Sequence, residues 1–163
     1  MSISKELLKV SLEGDDNQHK ADENINLNEM IRQALKPFMA AGRNTDIIVR
    51  CSDMPFIKGD PELIREVCND LVRMIMLYPG RTKRFLHIKC EEQTPVSRQR
   101  QHVSGFIIEF HTNLTTDTKW KQLNHETVHS CQQKLLTIGA NLTVHEILTA
   151  GRLFSISLQG KNF

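Results

Sequence analysis

No glycine lies between Gly105 and Gly139, and the eight glycines of this 163-residue chain occur singly throughout. That stretch therefore lacks the flexible backbone with which a glycine-rich loop closes its N–H groups on phosphate. Cysteine is also sparse. Cys51, Cys68, Cys90 and Cys131 stand far apart without a Cys-x-x-Cys pair, and three of them fall within predicted strands or helices. Free cysteines in such places behave as small apolar residues, as expected in the reducing cytosol. No apolar run is long enough to span a bilayer, and residues 1–14 lack the apolar stretch and cleavage site of a secretory signal. A cytoplasmic chain is the expectation. The formal charge of +2 gives no reason to invoke nucleic acid or a membrane surface. The short basic run Arg81-Thr82-Lys83-Arg84 reads as a solvated loop.

What is present is the composition of a folded protein, with 39% hydrophobic and 25% charged residues. Residues 1–24 read as a flexible segment, with a short amphipathic piece at Leu7, Leu8, Val10 and Leu12 and then a polar linker. Residues 25–163 read as one domain. Asn26 and Glu29 form a capping-box pattern ahead of Leu27, Met30, Ile31, Ala34, Leu35, Phe38 and Met39 at helical spacing, with Pro37 expected to end or kink the helix. Strands are predicted over 46–51 and 54–57. Asp60-Pro61 caps and opens a second helix, whose buried stripe is Leu63, Ile64, Val67, Leu71, Met74, Ile75 and Leu77 or Tyr78. Alternation predicts strands over 85–90 and 106–110, with 112–121 loop-like. A third helix is predicted over 125–136, ending at Gly139, and a hairpin over 141–147 and 152–158 turns at Thr149-Ala150-Gly151. The order implies a two-layer α/β (α+β) sandwich, a mixed, mostly antiparallel sheet with about three helices on one face.

Three stretches carry a resemblance: Gly59-Asp60-Pro61 before the second helix, Thr137-Ile138-Gly139-Ala140-Asn141-Leu142-Thr143-Val144 after the third, and Gly151-Arg152-Leu153-Phe154-Ser155-Ile156-Ser157-Leu158 at the end. With Ile25-Asn26-Leu27-Asn28-Glu29-Met30-Ile31, they are similar to the ATP-binding domain of sensor histidine kinases, the GHKL or Bergerat fold. The resemblance implies a nucleotide pocket with magnesium. In the family an asparagine on the second helix ligates the metal, and a polar or acidic residue precedes it by four positions. Here the pair is Asp70 and Met74, and a thioether is a poor ligand for a hard cation. The family reads adenine with Asp-x-Gly-x-Gly; the matching stretch here is His111-Thr112-Asn113-Leu114-Thr115. Asp70, Met74, His111 and Asn113 are thus the positions of a degenerate pocket. Read from the residues alone, Asp70 is a helix-face carboxylate and His111 an ordinary strand-end histidine.

The resemblance therefore implies a non-catalytic signalling or protein-interaction module in a two-component-type pathway. It would take no cofactor, and its partner would be a response regulator, a histidine kinase or a second copy of itself. Alternatives are an active ATP- and magnesium-binding kinase domain and a phosphotransfer protein, although His19 and His87 lack the acidic neighbour of a phosphorylatable histidine. A third comes from His125-Glu126-Thr127-Val128-His129, which spells H-E-x-x-H. On a helix the two histidines share a face and suit zinc, with Glu126 as general base of a metallopeptidase. No extended histidine continuation follows, and Glu146 is the nearest acidic candidate for a third ligand.

Overall fold

Asp60 shows how closely the chain's local chemistry sets its architecture. Its Oδ1 accepts hydrogen bonds from the backbone N–H of Glu62 at 3.1 Å and Leu63 at 3.3 Å, and Pro61 follows where no N–H is needed. A computed structural model of the chain describes residues 23–39, 47–77, 83–93, 105–113, 118–147 and 151–158, with 118–123 as backbone. Its elements are β1 (Glu23–Asn26), α1 (Leu27–Met39), β2 (Ile47–Cys51), β3 (Phe56–Gly59), α2 (Pro61–Met76), β4 (Arg84–Gln93), β5 (Gly105–Thr112), α3 (Thr118–Leu136), β6 (Asn141–Ile147) and β7 (Gly151–Leu158). Of residues 1–24, read as a flexible segment, 1–22 lie outside this description, and Glu23 and Asn24 begin β1.

Five strands form a mixed sheet in the order β2-β4-β5-β7-β6. The β2–β4 pair is parallel and the other three pairs are antiparallel. Register aligns one face across the sheet: Leu86 opposite Thr112, Ile88 opposite Phe110, Phe110 opposite Phe154, and Phe154 opposite Val144. That face joins the buried stripes of the helices in one core, in which Leu27, Ile31, Ile64, Leu71, Phe110, Leu135 and Phe154 are wholly enclosed. Among the described residues the observed architecture is the two-layer α/β sandwich with three helices.

Several boundaries differ from the pattern reading, each for a physical reason. β1 pairs antiparallel with β3 to make a separate two-stranded sheet. Only Ile25 of β1 is buried, so its alternation is too short to read. β3 starts at Phe56 rather than Met54, because Asn28 clamps Met54 through both its backbone groups, at 3.1 Å and 3.0 Å. α1 runs past Pro37 to Met39, which is more than half exposed rather than part of the buried face. Leu77 is likewise exposed at the end of α2, whereas Cys68, Val72 and Met76 widen the buried side of that helix. α3 begins at Thr118, earlier than predicted, through a polar stretch with no apolar periodicity.

α3 ends as its glycine implies. Gly139 has φ +71°, Ala140 N–H donates to Leu135 O at 2.9 Å, and Gly139 N–H donates to Leu136 O at 3.1 Å, the paired bonds of a Schellman cap. Asn26 caps α1 in the expected way, its Oδ1 accepting from Glu29 N–H at 3.2 Å.

Candidate functional site

Helical spacing places Glu66, Asp70 and Met74 in one line along α2, one turn apart. Lys134, in the last turn of α3, reaches across to that line. Its Nζ lies 3.3 Å from Glu66 Oε2 and 3.5 Å from Asp70 Oδ2. Hydrogen bonding to Glu66 chiefly holds the ammonium above its ordinary range; burial opposes it, and the nearby charge of Asp70 adds to it. The carboxylate of Asp70 is thereby engaged by a neighbouring helix. Met74 sits in the core with 6% of its surface exposed. A cation that requires several oxygens finds a thioether and an already paired carboxylate here, and these residues do not fit magnesium.

The other two positions that the resemblance assigns to a pocket lie at the end of β5. Asn113 follows β5 and braces the start of β4: its Oδ1 accepts from Phe85 N–H at 2.8 Å and its Nδ2 donates to Lys83 O at 3.1 Å. His111 has the opposite parity to Phe110 and Thr112, so it stands on the sheet face turned away from the core. There it meets Phe85 edge-on with ring centroids 6.1 Å apart, opposite His87 in the register. Its Nε2 is enclosed without a hydrogen-bond partner among the described residues. The structure brings Asp70 and Met74 together on α2, and Asn113 and His111 together beside Phe85.

His125 and His129 lie one turn apart on α3 with nearly parallel rings, their planes 13° apart and centroids separated by 6.3 Å. Both are exposed, as is Glu126. Among the described residues no group of three histidine, cysteine or carboxylate side chains is placed to hold a metal ion. Glu146, the acidic candidate for a third ligand, instead pairs with Arg152 at 3.1 Å. Among the described residues the metallopeptidase reading therefore finds no third ligand.

Pattern reading overlooked Lys134 and Glu66, which do more than Met74 to define this side of α2. The signal was the spacing of Glu66 and Asp70, four residues apart on one helix face; their basic partner is sixty-four residues beyond Asp70 and could not be read from either helix alone. Cys68, Cys90 and Cys131 are buried as expected, and burial pushes their thiols up to about 12, 11 and 11. Cys51 is exposed.

No protein-family profile matches the chain, and no curated relative matches it. Solved structures do. The catalytic domain of the histidine kinase ThkA superposes with a TM-score of 0.61 at 14% identity, covering 85% of this chain and 95% of that one. The histidine kinase AdeS of Acinetobacter baumannii gives 0.63 at 13% identity, covering 86% of this chain and 68% of its own. The ATP-binding domain of PrrB from Mycobacterium tuberculosis gives 0.59 at 15% identity, over 87% of this chain and 99% of that domain. Described from its own strand order and confirmed by these superpositions, the chain has the fold of the ATP-binding domain of histidine kinases.

Proposed function

We propose that the chain is a non-catalytic signalling module: a histidine-kinase-type ATPase fold that no longer uses nucleotide and acts by binding protein in a two-component-type pathway. The observation that carries this reading is the condition of α2. Asp70, at a position where the resemblance expects pocket chemistry, is paired with Lys134, and Met74, at the magnesium position, is enclosed in apolar core. The absence of glycine from 106 to 138 supports it independently, since that stretch includes the segment expected to wrap phosphate. The likeness of the fold to histidine-kinase domains supports a partner of two-component type: a response regulator, a histidine kinase or a second copy of this chain.

Titration with a non-hydrolysable ATP analogue, with and without magnesium, tests the proposal. The expected result is no saturable binding in the submillimolar range. Magnesium-dependent affinity tighter than that restores an active kinase or ATPase as the leading reading. In parallel, titration with a receiver domain or with a kinase's helical dimerisation domain should give saturable binding without nucleotide. Failure with both, together with a monomeric mass in solution, removes the interaction role.

A further inference from the structure

The pair His125 and His129 belongs to no contact described above. Both side chains are exposed on the same face of α3, and their ring planes are nearly parallel, 13° apart. Residues four apart on a helix have Cβ atoms about 5–6 Å apart, close enough for two imidazoles to turn inward onto one ion. The centroid separation of 6.3 Å leaves a gap between the two parallel rings. A bond of about 2.0–2.1 Å from each nitrogen requires only a rotation of both exposed side chains toward each other. Glu126 lies one turn before His129, and its carboxylate lends the site a favourable charge without being needed as a ligand.

We propose that His125 and His129 form a bidentate surface chelate for a borderline divalent transition cation, Cu2+ most strongly and Ni2+ and Zn2+ less so. Imidazole suits all three ions, and the order of affinity follows their general ranking on nitrogen donors. Two protein ligands leave the remaining positions to water. The site is therefore a binding site, distinct from the closed or three-ligand zinc centres of structural and hydrolytic proteins. It stands apart from the α2 line and does not depend on whether the fold has lost nucleotide.

The test is titration of the full, tag-free chain with CuCl2, followed by calorimetry and by electron paramagnetic resonance. The expected result is one Cu2+ per chain with nitrogen hyperfine structure from two imidazoles. His125→Ala and His129→Ala should each weaken binding by about tenfold or more, since either change removes one of only two protein ligands. His145→Ala, on an exposed β6 position, should leave affinity unchanged, and far-UV circular dichroism should show that each variant remains folded. Copper binding that keeps its full affinity in the His125→Ala and His129→Ala variants overturns the proposal, as does a wild-type chain that binds no more tightly than the double variant.

Discussion

A methyl group added at Gly151 and one added at Gly139 meet opposite surroundings. At Gly151, with φ +113°, the new Cβ would collide with Thr112 O, a backbone atom of the neighbouring strand that cannot move aside alone. At Gly139, with φ +71°, nothing stands within 4 Å, and only the left-handed backbone resists. Gly139→Ala is therefore expected to cost about 1–2 kcal/mol, and Gly151→Ala distinctly more, measured as denaturation midpoints at constant slope. Equal losses would mean that the β5–β7 contact yields. The cysteines separate in the same manner by surroundings. Native chain treated with iodoacetamide near neutral pH should carry one label, on Cys51, because Cys68, Cys90 and Cys131 are enclosed. Peptide mass spectrometry reads this directly, and Cys51→Ser should leave the native chain unlabelled. The same burial links folding to pH. The buried thiols ionise in the unfolded chain near their ordinary value of 9.0, whereas Cys68 in the fold is held up to about 12. Their stabilising contribution is complete below pH 9 and is lost as pH rises toward the folded values. Each thiol that ionises only in the unfolded chain steepens the loss by about 1.4 kcal/mol per pH unit. Urea midpoints should fall from pH 9 to pH 10.5, and less steeply in Cys68→Ala.

Between elements, a few polar side chains fix what the apolar pattern leaves free. Asn28 holds Met54 by two hydrogen bonds and so ties the β2–β3 connection to the first turn of α1. Asn28→Ala should cost about 1–3 kcal/mol, because two backbone groups at a half-buried site lose their partner together. Lys134 joins α3 to α2, but its partners are well exposed, so Lys134→Ala should lower thermal stability only slightly, by about 0.5–1 kcal/mol in low salt. The two substitutions show what the sequence made legible. Helices, their caps and the buried strand faces follow from short-range spacing: Asp60-Pro61 opens α2, Gly139 closes α3, and Leu86, Ile88 and Cys90 point to one side as their alternation predicts. Contacts between distant segments carry no such period. The hold of Asn28 on Met54, the reach of Lys134 to Glu66 and the pairing of β1 with β3 all arise only once the chain is folded. The candidate site divides likewise. The poor chemistry of Met74 was visible from its side chain alone, whereas the turn of His111 to the open face needed the strand register.

At the scale of the whole molecule, the proposed function separates the fold from the pocket chemistry. The sheet order and the three helices match kinase ATP-binding domains at TM-scores near 0.6, while the residues resembling that pocket serve the interior or brace a neighbouring strand. On the proposed reading the pocket positions have become structural, and one reversal should not restore nucleotide binding. Met74→Asn supplies the missing amide, but at a site only 6% exposed it also buries a polar group among Val67, Leu71 and Ile75. A loss of about 1–3 kcal/mol in stability is expected from that desolvation alone. Nucleotide binding would offset it, because a ligand that binds only the folded chain raises its stability in proportion to RT ln(1 + [L]/Kd). Thermal denaturation of the wild type and of Met74→Asn, each with and without millimolar magnesium and ATP analogue, therefore measures both effects at once. The variant should melt earlier than the wild type, and neither should shift on adding nucleotide. A nucleotide-dependent rise in the variant would mean that the fold keeps a working pocket behind one altered side chain; a rise in both would mean that the wild type binds nucleotide despite Met74.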